Sequence, residues 1–247
     1  MSTGHDRLAE LIRSAGSVVA LTGAGVSVPS GIPDFRSPGT GLWANVDPME
    51  VAHISVWRRD PARFWGFYGE RFAQLEGKQP NGAHRALAEL DIPVITQNID
   101  GLHAAAGSRD VIEIHGSVAS ASCQVDGSRY PLAEVRRRLE AAEDGVPRCD
   151  CGDPLKPDVI LFGEMLDEAA MTRASDLATG ADLMLCVGSS LEVYPAAGLP
   201  ELTIEAGGQL AIITMSATPF DRFAAVRLDG DVEAEMQALM AALNPGH

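Results

Sequence analysis

Short apolar runs alternate with helical stretches along most of the chain. They fall at 17–22, 92–96, 111–114, 182–187 and 209–214. Each is too short for a helix and continuous enough for a strand buried on both faces. Between several of them apolar positions recur at helical spacing, as in residues 5–15, where Leu8, Leu11 and Ile12 share a face. Such alternation predicts an α/β fold, a mainly parallel sheet with helices on both faces. Two segments break the rhythm. Residues 41–79 carry Trp57, Phe64, Trp65, Phe67, Tyr68 and Phe72 at helical spacing, and residues 119–157 hold three cysteines around a charged helix, Ala133 to Glu143. The expected organisation is one domain with a large lobe made of 1–40, 80–118 and 158–247. A helical insertion, 41–79, and a cysteine-containing insertion, 119–157, then form a smaller lobe.

Composition narrows the function classes. The chain has 247 residues, 46% of them apolar, enough for a substantial core. No apolar run is long enough to span a bilayer, and the N-terminus lacks a signal-peptide pattern, so the expected compartment is the cytoplasm. A net charge of −15 argues against nucleic acid as a partner. It fits a solvated acidic surface, or weak steering of lysine-rich substrates. Four cysteines, Cys123, Cys149, Cys151 and Cys186, are too few and too clustered for a secreted disulfide scaffold.

The polar motifs fall at strand ends, where open parallel sheets bind ligands. Gly23-Ala24-Gly25 follows the first strand, a turn whose backbone N–H groups can approach a phosphate. Val28 stands where a dinucleotide fingerprint has its third glycine. The prolines at 29 and 33 exclude helix interior, so a long polar loop carrying Asp34 and Arg36 is expected. That disfavours a dehydrogenase. Gln97, Asn98 and Asp100 follow the second strand and suit a carboxamide and sugar hydroxyls, although an Asx-rich helix cap would read the same way. His115, at another strand end before Gly116, is placed for proton transfer near neutral pH or is a structural histidine. Gly188-Ser189-Ser190 supplies a further small-residue turn at the same edge.

Together these residues resemble the sirtuin family, the NAD-dependent protein lysine deacylases. The matching stretches are Gly23 to Ser27, Ser30 to Arg36, Thr96 to His103, His115 to Ser117, Pro157 to Glu164 and Val187 to Ala197, in the family's order over nearly the whole chain. The resemblance implies a Rossmann-like large lobe, a zinc-ribbon-like insertion, and an acyl-lysine protein or peptide meeting NAD between the lobes. The acyl oxygen would attack the nicotinamide ribose, nicotinamide would leave, and His115 would act as general base on a ribose hydroxyl. Free lysine and an O-acyl-ADP-ribose would be the products. By the same resemblance Gly23, Ala24, Gly25, Asp34, Phe35 and Arg36 belong to the cofactor site, with Gln97, Asn98, Ile99 and Asp100 on ribose and carboxamide. Gly188, Ser189, Ser190, Thr214, Met215, Ser216 and Val232 would complete it, Asn98 sharing in catalysis. Ala52, Val159, Gly163, Glu164, Leu191 and Val193 would meet the substrate, the last five as strands pairing with peptide backbone.

The chain departs from the family at two points. Thr214 stands where the family usually has asparagine, and the four-cysteine metal pattern has Asp126 in place of one cysteine. Cys123, Cys149 and Cys151 are expected to hold one structural zinc with Asp126 or water as the fourth ligand, since carboxylate oxygen is a legitimate ligand. Cys186, inside an apolar strand, reads as core. Tyr68 and Arg71 would share a helix face, and Tyr-x-x-Arg with Ala52 resembles the bacterial subgroup that removes succinyl and malonyl groups. Arginine suits an acyl carboxylate because it binds it bidentately. Two other readings use the same pocket: ADP-ribosyl transfer or NAD hydrolysis, and an inactive NAD or ADP-ribose sensor.

Overall fold

The computed structural model describes residues 3–34, 41, 46–75 and 77–244. Among the described residues nine strands form two sheets: β1 (Val18–Thr22), β2 (Val94–Thr96), β3 (Val111–Glu113), β4 (Gly116–Cys123), β5 (Arg129–Pro131), β6 (Leu155–Val159), β7 (Leu183–Val187), β8 (Gln209–Ile213) and β9 (Ala224–Leu228). The larger sheet has the order β3-β2-β1-β7-β8-β9 and is parallel throughout. Successive strands are added in one direction from β1 and in the other from β7, a switch point that opens a crevice at their carboxyl ends.

Alternate residues of the central strands feed two separate cores. Ala20, Leu183, Leu185 and Val187 pack on one face with Leu8, Leu87, Met236 and Leu239. Val19, Leu21, Met184 and Cys186 pack on the other with Ala174, Leu199 and Phe220. Both faces are covered, so these strands read as unbroken apolar runs, each buried leucine contributing about 1.5–3 kcal/mol. Helices Gly4–Ser14, Gly82–Glu89 and Val232–Leu243 lie on the first face, and Glu168–Thr179 with Leu199–Glu205 on the second.

The smaller sheet is antiparallel, ordered β5-β4-β6. A third core joins it to the aromatic helices: Ile54, Trp57, Phe64, Trp65 and Phe72 pack against Val118, Cys123, Val135, Leu155 and Leu161. Trp57 and Trp65 both donate their indole N–H to the Leu155 carbonyl, at 3.1 and 3.0 Å. A buried carbonyl has two lone pairs, so one acceptor satisfies both rings. Helix Pro61–Leu75 begins with proline in its first turn, where a missing N–H costs nothing, and Asp60 accepts from the Arg63 N–H. It runs unbroken through Gly66 and Gly69. Among the described residues no helix is long and apolar enough to cross a membrane.

Two local expectations are revised. The loop after Gly23 is not irregular, because Ala24–Ser30 forms a 3₁₀ helix with Pro29 inside it. The i→i+3 pattern accommodates the proline in a single short coil. Strand β9 also lies outside the five apolar runs, since only Val226 and Leu228 of its residues are buried.

Candidate active site

The carboxyl ends of β1, β2, β3, β7 and β8 open into one cavity of about 980 Å³, within the range of small-molecule and cofactor sites. Its glycine wall comes from two loops in backbone contact. The Gly25 N–H donates to the Gly188 carbonyl at 2.8 Å. A Cβ on Gly25 would stand 2.7 Å from that oxygen, and one on Gly23 2.9 Å from Ser189 Cβ. Side chains larger than hydrogen would push the loops apart. The bare peptide edges of Gly23 to Gly25 and Gly188 to Ser190 are what the cavity presents.

The second wall is the turn after β2. The Thr96 hydroxyl accepts from the Asn98 N–H at 3.0 Å, and the Thr22 hydroxyl donates to it at 2.8 Å. Thr22 in turn accepts from His103 Nε2 at 2.9 Å. His103 Nδ1 is buried without a partner, and burial pushes its pKa down to about 3, with His84 nearby adding to the effect. The ring is therefore a neutral strut. Asn98 Nδ2 donates to Ser27 Oγ at 3.0 Å, and Ser27 donates to Asp100 Oδ2 at 2.7 Å. Gln97 Nε2 reaches Ser189 Oγ at 2.9 Å, tying this turn to the glycine wall. Asp100 Oδ1 also accepts from the Leu102 N–H, an Asx turn leading into helix Leu102–Ala105, whose N-cap is Gly101 and carries no side-chain cap.

His115 stands between these walls and the smaller sheet. Its Nδ1 lies 2.9 Å from the Gln97 carbonyl. A carbonyl only accepts, so Nδ1 carries the proton and Nε2 keeps its lone pair. Burial lowers the imidazole pKa below its ordinary value, against a smaller raising effect from the Gln97 bond. Gly116 follows with φ +74°, and a Cβ there would collide with the Asp158 carbonyl oxygen. The glycine is what lets β6 run directly behind the imidazole.

Val159 to Glu164, which starts beside His115, and Glu192 to Pro195 also line the cavity. Gly163 has φ +83°, and a Cβ would meet the His53 ring at 2.5 Å. Ala52, Tyr68 and Arg71 form the far wall. Arg71 Nη1 donates to the Phe67 carbonyl at 2.9 Å, and its guanidinium stacks 3.4 Å over the Phe67 ring. Its Nε is buried without a partner. Tyr68 stacks on Phe64 with ring centroids 4.6 Å apart, and burial raises its phenol pKa, so the hydroxyl stays protonated.

Most residues expected in the site line this cavity, including Asp34, Ile99, Thr214 and Ser216. Phe35 and Arg36 lie outside the described residues. Three do not line it. Leu191 is 2% exposed in the core under the sheet, Met215 points outward at 68% exposure, and Val232 packs into the first core from the start of its helix. Ser27, Lys78, Phe162 and Tyr194 line the cavity although no role was assigned to them from sequence. Ser27 sits inside the glycine motif and was legible there, whereas nothing local marks the other three.

Away from the cavity, one ligand atom from each of Cys123, Asp126, Cys149 and Cys151 lies within 4.8 Å of the others. Sulfur atoms on a tetrahedral zinc stand about 3.8 Å apart, so this set fits one ion with little contraction. Cys123 and Cys151 Sγ are 3.5 Å apart, and Cys149 Sγ is 3.2 Å from Asp126 Oδ2. The Ser128 N–H on its other oxygen is the main reason Asp126 stays well below the usual carboxylate range. Cys186 is not part of the set. It is buried in β7, which pushes its thiol pKa up to about 12.

The Sir2 family model matches residues 23–195. An NAD-dependent protein deacetylase of Sulfolobus acidocaldarius is 42% identical over 246 residues, 98% of this chain and 96% of that one. A structure of Sir2Tm bound to a propionylated peptide superposes with a TM-score of 0.90 at 37% identity, covering 99% of this chain and 100% of the other. A Sir2 structure with a p53 peptide and NAD+ gives 0.89 at 39%, covering 97% and 98%.

Proposed function

The chain belongs to the Sir2 family, and on that premise we propose that it removes acyl groups from protein lysine with NAD as co-substrate, taking succinyl and malonyl as well as acetyl groups. The observation carrying this reading is the His115 imidazole, Nε2 unprotonated, in one cavity with a glycine-walled crevice and an edge suited to peptide. Gly23 to Gly25 and Gly188 to Ser190 would hold the diphosphate and adenosine side, with Thr214 and Ser216 beyond. Gln97, Asn98 and Asp100 would hold the nicotinamide ribose and carboxamide. NAD supplies an electrophilic ribose carbon with nicotinamide as leaving group. His115 accepts a ribose hydroxyl proton at Nε2 while the Gln97 carbonyl holds its other nitrogen. Asn98, its amide N–H bonded to Ser27, would help position the same ribose.

Peptide would lie between Gly163 and the Glu192–Val193 segment. Among the described residues neither the Gly163 backbone nor the Val193 N–H has a hydrogen-bond partner, as strand addition requires. Incubation with NAD and acetyl, succinyl or crotonyl peptides, read by mass, tests the whole reading. O-acyl-ADP-ribose and free lysine are expected, and ADP-ribosylated protein without deacylation would replace it.

The acyl range rests on Arg71 and Tyr68. A desolvated guanidinium N–H without a partner draws an anionic group, with the Tyr68 hydroxyl as second donor. A charge-assisted hydrogen bond contributes about 1.5–3 kcal/mol, roughly 10- to 150-fold in selectivity. Arg71→Met is expected to lose succinyl turnover by that factor and largely keep acetyl turnover. Equal loss of both, or a wild type that ignores succinyl peptide, removes this assignment.

Zinc would have no part in the chemistry and would tie β4 to the segment after the charged helix. Elemental analysis of protein purified without chelator is expected to find about one zinc per chain. Asp126→Cys should then hold zinc longer against a chelator, because thiolate is the softer ligand. Less than a tenth of an equivalent in folded protein would mean the cluster is metal-free.

A further inference from the structure

A buried ammonium group is costly unless each of its N–H bonds is met. Lys156, in β6, is 6% exposed. Its Nζ lies 2.9 Å from Glu164 Oε2 and donates to the Val159 and Pro157 carbonyls at 2.9 and 3.2 Å. The same Glu164 oxygen accepts from the Leu161 N–H at 2.8 Å. These bonds close the end of β6 and the following turn into a ring. That turn reaches outward at three further points. The Ile160 N–H donates to the His115 carbonyl at 2.8 Å, the Phe162 N–H to the Ala52 carbonyl at 3.0 Å, and the Ile54 N–H to the Phe162 carbonyl at 2.9 Å.

We propose that Lys156, acting through Glu164, is a positioning residue that presets the 160–164 turn to receive the acyl-lysine peptide backbone. This rests on the deacylase reading above. All three Lys156 donors are directed into the protein, so the residue does not touch substrate. The Glu164 carboxylate is committed to Lys156 and Leu161, which makes it part of the brace. Replacing a buried ion pair by apolar groups is often neutral for stability. What the pair adds is direction: it fixes two carbonyls and one N–H of the segment that carries Gly163. A turn already in place spares the peptide the cost of ordering it on binding. The brace leaves the crevice formed by Gly25 and Gly188 untouched, so peptide and NAD should respond differently to its loss.

The test varies acetyl-lysine peptide and NAD independently with the full chain. Lys156→Met is expected to raise the peptide KM about tenfold, the size of effect that losing preorganisation of a short segment produces, while kcat and the NAD KM stay within about twofold. Glu164→Leu should raise the peptide KM similarly, and the double variant no further, since the two act as one unit. Glu164→Gln keeps an acceptor for both partners and should restore most of the peptide affinity. Binding of a fluorescein-labelled acetyl-lysine peptide in the presence of ADP-ribose reads the same effect without turnover. An unchanged peptide KM in folded Lys156→Met, or a parallel change in kcat and both KM values, overturns the proposal. If Lys156→Met does not fold, Lys156→Met with Glu164→Leu carries the same expectation. A wild type that binds labelled peptide but never deacylates it overturns the deacylase reading instead, and the binding series then decides on Lys156.

Discussion

Replacing His115 by alanine is expected to lower deacylation about 10²- to 10⁴-fold, the usual loss for a general base, while NAD still binds. The Nδ1–H bond to the Gln97 carbonyl fixes the tautomer, so Nε2 is the basic atom. The same ring sets the pH profile. A general base works when neutral, and burial lowers the His115 pKa from 6.5. The working form is therefore gained as pH rises through a value below 6.5 and is lost only on acidification beneath it. Wild-type kcat/KM should show an ascending limb below pH 6.5, and the residual activity of His115→Ala should lack it. Turnover above a tenth of wild type in the variant, or a limb that survives the substitution, would remove His115 from this role.

Gly188→Ala should be the most damaging single-methyl change in the cofactor crevice. Gly188 has φ +62°, and its Cβ would meet the Val26 backbone N and stand 2.6 Å from the Gly25 carbonyl carbon. A left-handed alanine costs about 1–2 kcal/mol and overpacking about 1–3 more, together roughly 2–5 kcal/mol. For a chain of this size that is a fall in Tm on the order of 5–15 °C. Both glycine loops must separate to relieve the contact, so the NAD KM should rise as well. Gly207→Ala is the control: its φ is +92° with nothing within 4 Å of the added carbon, so it meets the backbone cost alone. Equal thermal stability of the two variants would show that the loops are not in the contact described.

What could be read from sequence followed from how local each signal is. The four interior strands β2, β1, β7 and β8 are buried on both faces, so Val18 to Leu21 and Leu183 to Val187 announce themselves without a partner in view. Strand β9 sits at the sheet edge, where Arg227 pairs with Asp221 and interrupts the apolar pattern. Strand β4 reads Gly-Ser-Val-Ala-Ser-Ala-Ser-Cys, small and mixed, because the bulky half of its core comes from Trp57, Phe64 and Trp65. The glycine turns and Gln97 to Asp100 were legible because a strand end and its loop are contiguous. Tyr194, Phe162 and Lys78 reach the same cavity from separate segments, and no local pattern records that convergence. Lys156 is a further case: a lysine in a strand reads as solvent-facing until its partners are seen.

The strand order has a consequence for how the protein is made. Strand β1 lies between β2 and β7, so a chain emerging from its N-terminus leaves one side of β1 unpaired until residue 187 has been synthesised. Strands β4, β5 and β6 lie within residues 116–159 and pair only with one another, so the antiparallel unit can close while the large sheet is still half-built. Contacts this distant in sequence close slowly and leave apolar edges open meanwhile. The crevice between Gly25 and Gly188 is among the last features to exist, so a nascent chain is blind to NAD through most of its synthesis.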